Sequence, residues 1–323
     1  MNSQFGIVER AGAIFRDAAR RAVVPLTTAE VDDLSQRVAL SFDVRLKTPA
    51  KLKDITAQIV LRPSNDVATE LAMRLRYLLG VGDVEPLFNL PSLLDAQLTV
   101  LLFPVEQNKL ASGCALIDES AFIFIADGAQ EEALFTCAHA LGHLVAMYAR
   151  RSNEDGATLD PVDDEASSGK GPYEHFADAF ASELLVPRRG LGIALQQVRK
   201  LLNVPGGSLG DIELLYLSRI FGVNFLTIAK RCERATLLPK GGAATLNQFL
   251  VDKFGGPERR AEELGLPRRT RLKIAPLPQS IELAIIKQIE LGKVPAKPAS
   301  APTSRKLASK AVRKQGHLYG STR

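Results

Sequence analysis

Apolar positions recur along this chain at two periods, and the places where the period changes divide it into elements. Ser64, Asn65 and Asp66 can each cap a helix. After them Val67, Leu71, Leu75 and Leu78 fall on one face and Gly80 ends the run, which predicts a helix. Three short apolar segments follow. QLTVLLFPV (97–105) reads as a strand; GCALID (113–118) and AFIFIA (121–126), separated by Glu119 and Ser120, read as a hairpin. The helical period then returns from about Glu131 to Ala149, with Glu131 and Glu132 at the positive end and Arg150 and Arg151 at the negative end, as the helix dipole favours. Residues 151–172 are polar, acidic and turn-rich, which predicts a loop. A further helix over about 174–186 stops at Pro187.

NVPGGSLG (203–210) marks a boundary, and a helical unit runs from there to about residue 290. Within it LLYLSRIFGVNFLTIAKRCER has the pattern of two helices joined at Gly222, with Asn224 capping the second. Arg219, Lys230, Arg231 and Arg234 make this pair basic enough to suggest DNA reading. Against that, Ile220, Phe221, Val223, Phe225, Ile228 and Ala229 are committed to a core, so a packing or substrate-docking unit is preferred. The expected division is a helical leader (1–65) without an interpretable motif, a central domain (66–190), a helical C-terminal domain (191–290) and a disordered Pro/Ala/Ser/Lys tail (291–323). No internal repeat is visible.

Candidate chemistry concentrates in the centre. Of four histidines, His139, His143 and His175 lie within one stretch and His317 in the tail. His139 and His143 are four apart on a helix, so both imidazoles leave one face and can share a metal. HxxxH alone is a weak signal. Glu174, on the next helix, can supply a third ligand. Two histidines and one glutamate with an open fourth position make the catalytic zinc pattern of gluzincin-type peptidases. Asp178, one turn after Glu174, can accept the second N–H of a ligating histidine. Cys114 precedes the strand expected to run beside this helix. Its thiolate could occupy the open position as a latency switch; the plainer role is a small core residue. Cys137 points about 200° away from His139 and is expected in the core, while Cys232 has no partner in sight. His175 and Tyr173 are candidates for oxyanion stabilisation, with packing or surface roles preferred for both; Phe176, Phe180 and Leu184 are expected in the core.

LFTCAHALGHLVAMYAR resembles the FTxAHELGH helix of the ImmA/IrrE metallopeptidases, and EHFADAFASELLVP resembles their second motif through Glu174, Ala177, Asp178, Phe180, Ala181, Leu184, Leu185 and Pro187. The resemblance spans about 66–187 and continues less sharply over 209–239. It implies His139, His143 and Glu174 as ligands to Zn2+. It implies an α+β fold: a small zincin-like metallopeptidase domain, with a short sheet on the active-site helix, followed by an all-α helix-turn-helix-like domain. It further implies a regulatory endopeptidase that cleaves a helix-turn-helix repressor and derepresses genes for stress, DNA damage or phage defence. One departure stands out. Family members carry HExxH, where the glutamate takes a proton from the attacking water and passes it to the leaving amine. Here that position is Ala140, and losing the base costs at least about 10²–10⁴-fold in rate. The chain is therefore expected to be an inactivated peptidase, through deliberate replacement or as a natural pseudoenzyme; the intact ligand set favours replacement. The competing reading is a non-enzymatic DNA-binding transcription regulator with a structural metal site.

Charge and composition refine this picture. The 323 residues carry a net +5 and a pI of about 9.1, but residues 291–323 hold eight basic side chains and no acid, so +5 − 8 leaves −3 for residues 1–290. The basicity belongs to the tail, which is the expected contact for single-stranded DNA. Hydrophobic residues at 46% and charged residues at 24% are globular values. No apolar run approaches a membrane span, no signal-peptide core is present and the three cysteines are unpaired by spacing, so the expected setting is cytoplasmic, with no membrane partner.

Overall fold

The computed structural model describes residues 2–44, 51–57, 62–106, 110–127, 132–150, 155–161, 171–204, 206–269, 272 and 274–291. The basic tail beyond Leu291, and with it the expected nucleic-acid contact, lies outside the described residues.

The fold is α+β. Four strands, β1 (Leu101–Glu106), β2 (Leu110–Ile117), β3 (Ser120–Asp127) and β4 (Gly156–Pro161), form one sheet in the order β1-β3-β2-β4. β1 runs parallel to β3, whereas β2 is antiparallel to both β3 and β4. The expected hairpin joins β2 to β3, but its turn lies one residue earlier, at Asp118 and Glu119. Both have positive φ, +48° and +65°, the backbone of a two-residue turn that matches strand twist. β4 was not expected. It arises inside the polar stretch 151–172, where Ala157 and Leu159 alternate with Thr158 and Asp160 and reach the sheet's apolar face.

Each face of the sheet meets a separate layer. The leader forms α1 (Asn2–Arg21) and α2 (Thr28–Asp43), the latter started by a Thr27/Glu30 capping box. Phe15 meets Phe124 edge to face at 5.5 Å between ring centroids, in a core with Phe103, Phe122, Ala157 and Leu159. α1 and α2 thus close one side of the sheet. The other side is covered by α6 (Ala133–Ala149), for which the shorter helices α3 (Lys51–Thr56), α4 (Asn65–Leu78) and α5 (Leu90–Leu93), the last running into a π turn at Leu94–Leu98, provide the flanks. Thirteen of the seventeen residues of α6 are buried. A helix apolar nearly all round is a central one.

Against α6 lies α7 (Pro172–Leu185), followed by α8 (Arg188–Leu202), α9 (Asp211–Phe221), α10 (Phe225–Arg234), α11 (Gly242–Phe254), α12 (Pro257–Glu263) and α13 (Gln279–Glu290). The two-helix pattern holds: α9 ends at Gly222 (φ +68°), the Asn224 side chain accepts from the Thr227 amide at 2.6 Å, and the helices meet at 106°. Phe221, Phe225 and Ile228 share one core with α6 and α7. Asn224 also donates to Glu132 at the start of α6 (2.6 Å), and Arg269 bridges Glu132 to Glu258. The helical C-terminal part is therefore docked on the entry of the central helix through both apolar and ionic contacts. No single helix among the described residues is long and apolar enough to cross a membrane.

Arg76 of α4 is the largest fully buried side chain. Its guanidinium donates to the carbonyls of Leu184 (2.6 Å), Glu85 (2.6 Å) and Gly82, tying the end of α7 to the loop after α4. Replacing it strands buried acceptors. Arg76→Met should lower unfolding free energy by about 3 kcal/mol, read from urea denaturation; a loss below about 1 kcal/mol would remove this arginine from the list of structural ties.

Candidate metal centre

The site is built where α6, α7 and β4 converge. His139 and His143 leave α6 one turn apart, and both rings are buried, at 9% and 4% exposure. Their Nε2 atoms approach to 3.1 Å. Glu174 sits in the first turn of α7, which Pro172 starts with its fixed φ and missing donor. Its two oxygens face the two rings: Oε1 is 3.1 Å from His143 Nε2 and Oε2 is 3.3 Å from His139 Nε2.

These three distances bear on whether a metal fits. Tetrahedral donors around an ion bonded at about 2.0–2.1 Å are about 3.3 Å apart. The two Nε2 atoms lie 3.1 Å apart and each meets a different oxygen of the one carboxylate at 3.1–3.3 Å, separations close to that value, and the donor types suit zinc. His139 Nδ1 donates to Asp178 Oδ1 at 3.0 Å, which leaves Nε2 as the atom turned toward Glu174. Asp178 is held in turn by neighbours on its own helix and beyond: Ser182 Oγ donates to the Asp178 carbonyl (2.7 Å) and receives Arg234 Nη2 from α10 (2.8 Å).

Electrostatics agree with the geometry. Burial works against a charged His139, but its hydrogen bonds to Asp178 and Glu174 and the nearby Asp160 outweigh that and push the imidazole up to about 10. Burial also works against the Glu174 anion, yet its bonds to His139 and His143 hold the carboxyl well below the usual range. The metal-free site thus keeps a proton among its donors.

The expected site residues are found in several different settings. His139, His143, Glu174 and Asp178 come together. Ala140 is fully buried and offers no polar atom. Cys114 lies in the core on β2, opposite Ile123 of β3 and Thr158 of β4, and is outside the four-donor group. Burial, then the charge of Asp160, pushes its thiol well up. That environment favours the neutral thiol of a core residue, and the latency role gains no support from it. Cys137 is buried as expected. His175 is exposed, and Tyr173 stacks beneath the Arg150 guanidinium at 3.6 Å, so neither faces the donors.

Asp160 was missed. With His139, His143 and Glu174 it completes a group whose donor atoms all lie within 4.8 Å of one another. Its signal was the short alternation of β4, obscured by the acidic composition around it. Of the basic residues taken as possible DNA contacts, three have internal partners. Arg219 pairs with Glu258 and Arg234 with Ser182. Arg231 Nε donates to the Val186 carbonyl, and its Nη2 lies 2.6 Å from Glu183 Oε2 as an ion pair off hydrogen-bond alignment.

Residues 95–233 match the family model described as the IrrE N-terminal-like domain, peptidase M78. The match begins in the π turn before β1 and ends inside α10, so it contains every donor named above but begins later than the helix at residue 66. No curated protein matches the chain.

Because the metal-free centre holds a proton on His139, a cation must displace it. Zinc binding at pH 7 should release about one proton and tighten as pH rises. Calorimetry in buffers of different ionisation enthalpy measures this directly; a binding enthalpy independent of buffer would contradict the proton inventory.

Proposed function

We propose, from the match of residues 95–233 to the IrrE N-terminal-like domain of peptidase family M78, that the chain is a metallopeptidase-type regulator directed at a helix-turn-helix repressor, with turnover shut down by Ala140. The observation that carries the reading is the convergence of His139, His143 and Glu174, whose donor types and close separations suit zinc. When bound, zinc polarises a scissile carbonyl and lowers the pKa of water toward about 7. The chain's own residues supply the rest. Asp178 orients His139, and the burial of both imidazoles keeps competing water away from the donors.

What the residues do not supply is a proton carrier at the family's position. The Ala140 methyl can neither accept nor donate, and Asp178 is engaged by His139. The consequence is metal and substrate binding with little turnover. Cleavage of the repressor in an active form would release the genes it represses, in a stress, DNA-damage or defence setting. This reading follows the family premise and the site together.

Ala140→Glu, zinc-loaded and checked for folding by thermal unfolding, should cut a helix-turn-helix repressor drawn from the neighbouring genes, with a gain of about 10²-fold or more over the unaltered chain. A folded, loaded variant inert toward that repressor would sink the reading.

The basic segment after Glu290 is the proposed contact for single-stranded DNA, because the rest of the chain is net acidic and three basic residues of the α9–α10 unit have internal partners. Truncation after Glu290 should remove most salt-dependent affinity for a single-stranded oligonucleotide. Unchanged affinity in a filter or anisotropy titration would refute that contact.

A further inference from the structure

The sheet brings to the centre a side chain that the three-ligand reading does not use. Ser112 on β2 and Asp160 on β4 are direct cross-strand partners. Ala115 and Ile117 of β2, and Ala157 and Leu159 of β4, face the α1–α2 layer. Residues of the other parity, Ser112, Cys114, Thr158 and Asp160, therefore face α6. Asp160 Oδ2 reaches to 3.9 Å from His139 Nε2 and lies, with the other three donors, within a 4.8 Å span.

We propose that Asp160 is a fourth protein ligand in the resting centre, so that two histidines, one glutamate and one aspartate hold the metal until a substrate carbonyl or water displaces the aspartate. This rests on the metal reading above and adds to it. Three observations carry it. First, the Ser112 hydroxyl donates to Asp160 Oδ2 at 2.5 Å. That contact orients the carboxylate from outside the donor set, as Asp178 orients His139. Second, charge closes. Among the described residues no Lys or Arg lies within ion-pair distance of Asp160 or Glu174, whose close partners are His139, His143 and Ser112. Two neutral imidazoles and two carboxylates carry −2, which one divalent cation neutralises. Third, the register of β4 on β2 turns Asp160 toward α6, on the face of the sheet where the histidines lie.

Asp160→Asn keeps the shape and the Ser112 contact and removes the charge. It should lower zinc affinity at least about 10-fold in competition with a chromophoric chelator. The cobalt-loaded wild type should keep its visible spectrum when azide is added, and Asp160→Asn should become azide-sensitive as a position opens. Matching thermal unfolding of the metal-free forms confirms that the variant folds. Unchanged zinc affinity in Asp160→Asn, or a wild-type cobalt spectrum that shifts with azide, overturns the proposal and leaves a three-ligand centre standing. A wild-type chain that takes up no zinc, or one whose affinity survives Glu174→Gln, overturns the metal reading itself and the proposal with it.

Discussion

The contact on which the site depends is the close approach of α6 and α7 at Gly142. A Cβ there would meet the Ala177 Cα at 3.0 Å and the Phe180 ring at 3.2 Å. Glycine therefore sets the spacing of the two helices, and Ala177 with Ala181 lines the seam opposite with small side chains. Gly142 sits directly beside His143 and one turn from His139, while Ala177 lies one turn from Glu174. The face that packs is thus almost the face that carries the donors. The 3.1–3.3 Å distances from Glu174 to the two imidazoles follow from that helix spacing, while the His139–His143 distance is set within α6.

That coupling explains how much of the site could be read from residues alone. The i,i+4 pair on an apolar helix, and Glu174 one turn before Asp178, are local patterns on regular elements, and helical period places them without tertiary knowledge. Asp160 is not local in that sense. It reaches the donors because Gly156–Pro161 pairs with β2, and the alternation that makes this a strand is brief and set among acids and turn formers. Composition outweighed periodicity there. The same imbalance hid the role of the leader. Its alanines and scattered charges carry no motif, yet Ala11, Phe15 and Ala18 supply much of what covers one whole face of the sheet.

Buried arginines were likewise not legible in the sequence. Charge in a sequence suggests surface and partner, but Arg76, Arg231 and Arg269 are buried and bound to carbonyls or carboxylates inside the protein. The planar, always charged guanidinium suits that work, since it can satisfy several acceptors at once. In the α9–α10 unit this turns the apparent DNA-reading surface into a set of ties to α7 and α12. Asn224 shows it most clearly: one atom of its amide caps α10 and the other grips Glu132 at the head of α6. Helix-turn-helix geometry here serves to brace the central helix.

Ala140 and Asp160 then point in one direction. A peptidase centre is arranged so that a metal keeps one position free and a neighbouring carboxylate moves a proton. This chain has Ala140 at that position and places another carboxylate, Asp160 of β4, beside the donors. An ion held by α6, α7 and β4, as proposed above, would join the sheet to both central helices, and its binding free energy would add to folding free energy. At a free concentration one hundred times the dissociation constant that is about 2.7 kcal/mol. The proton held by His139 in the metal-free centre is what the ion must displace, so the stabilisation is weaker in acid and grows toward alkaline pH.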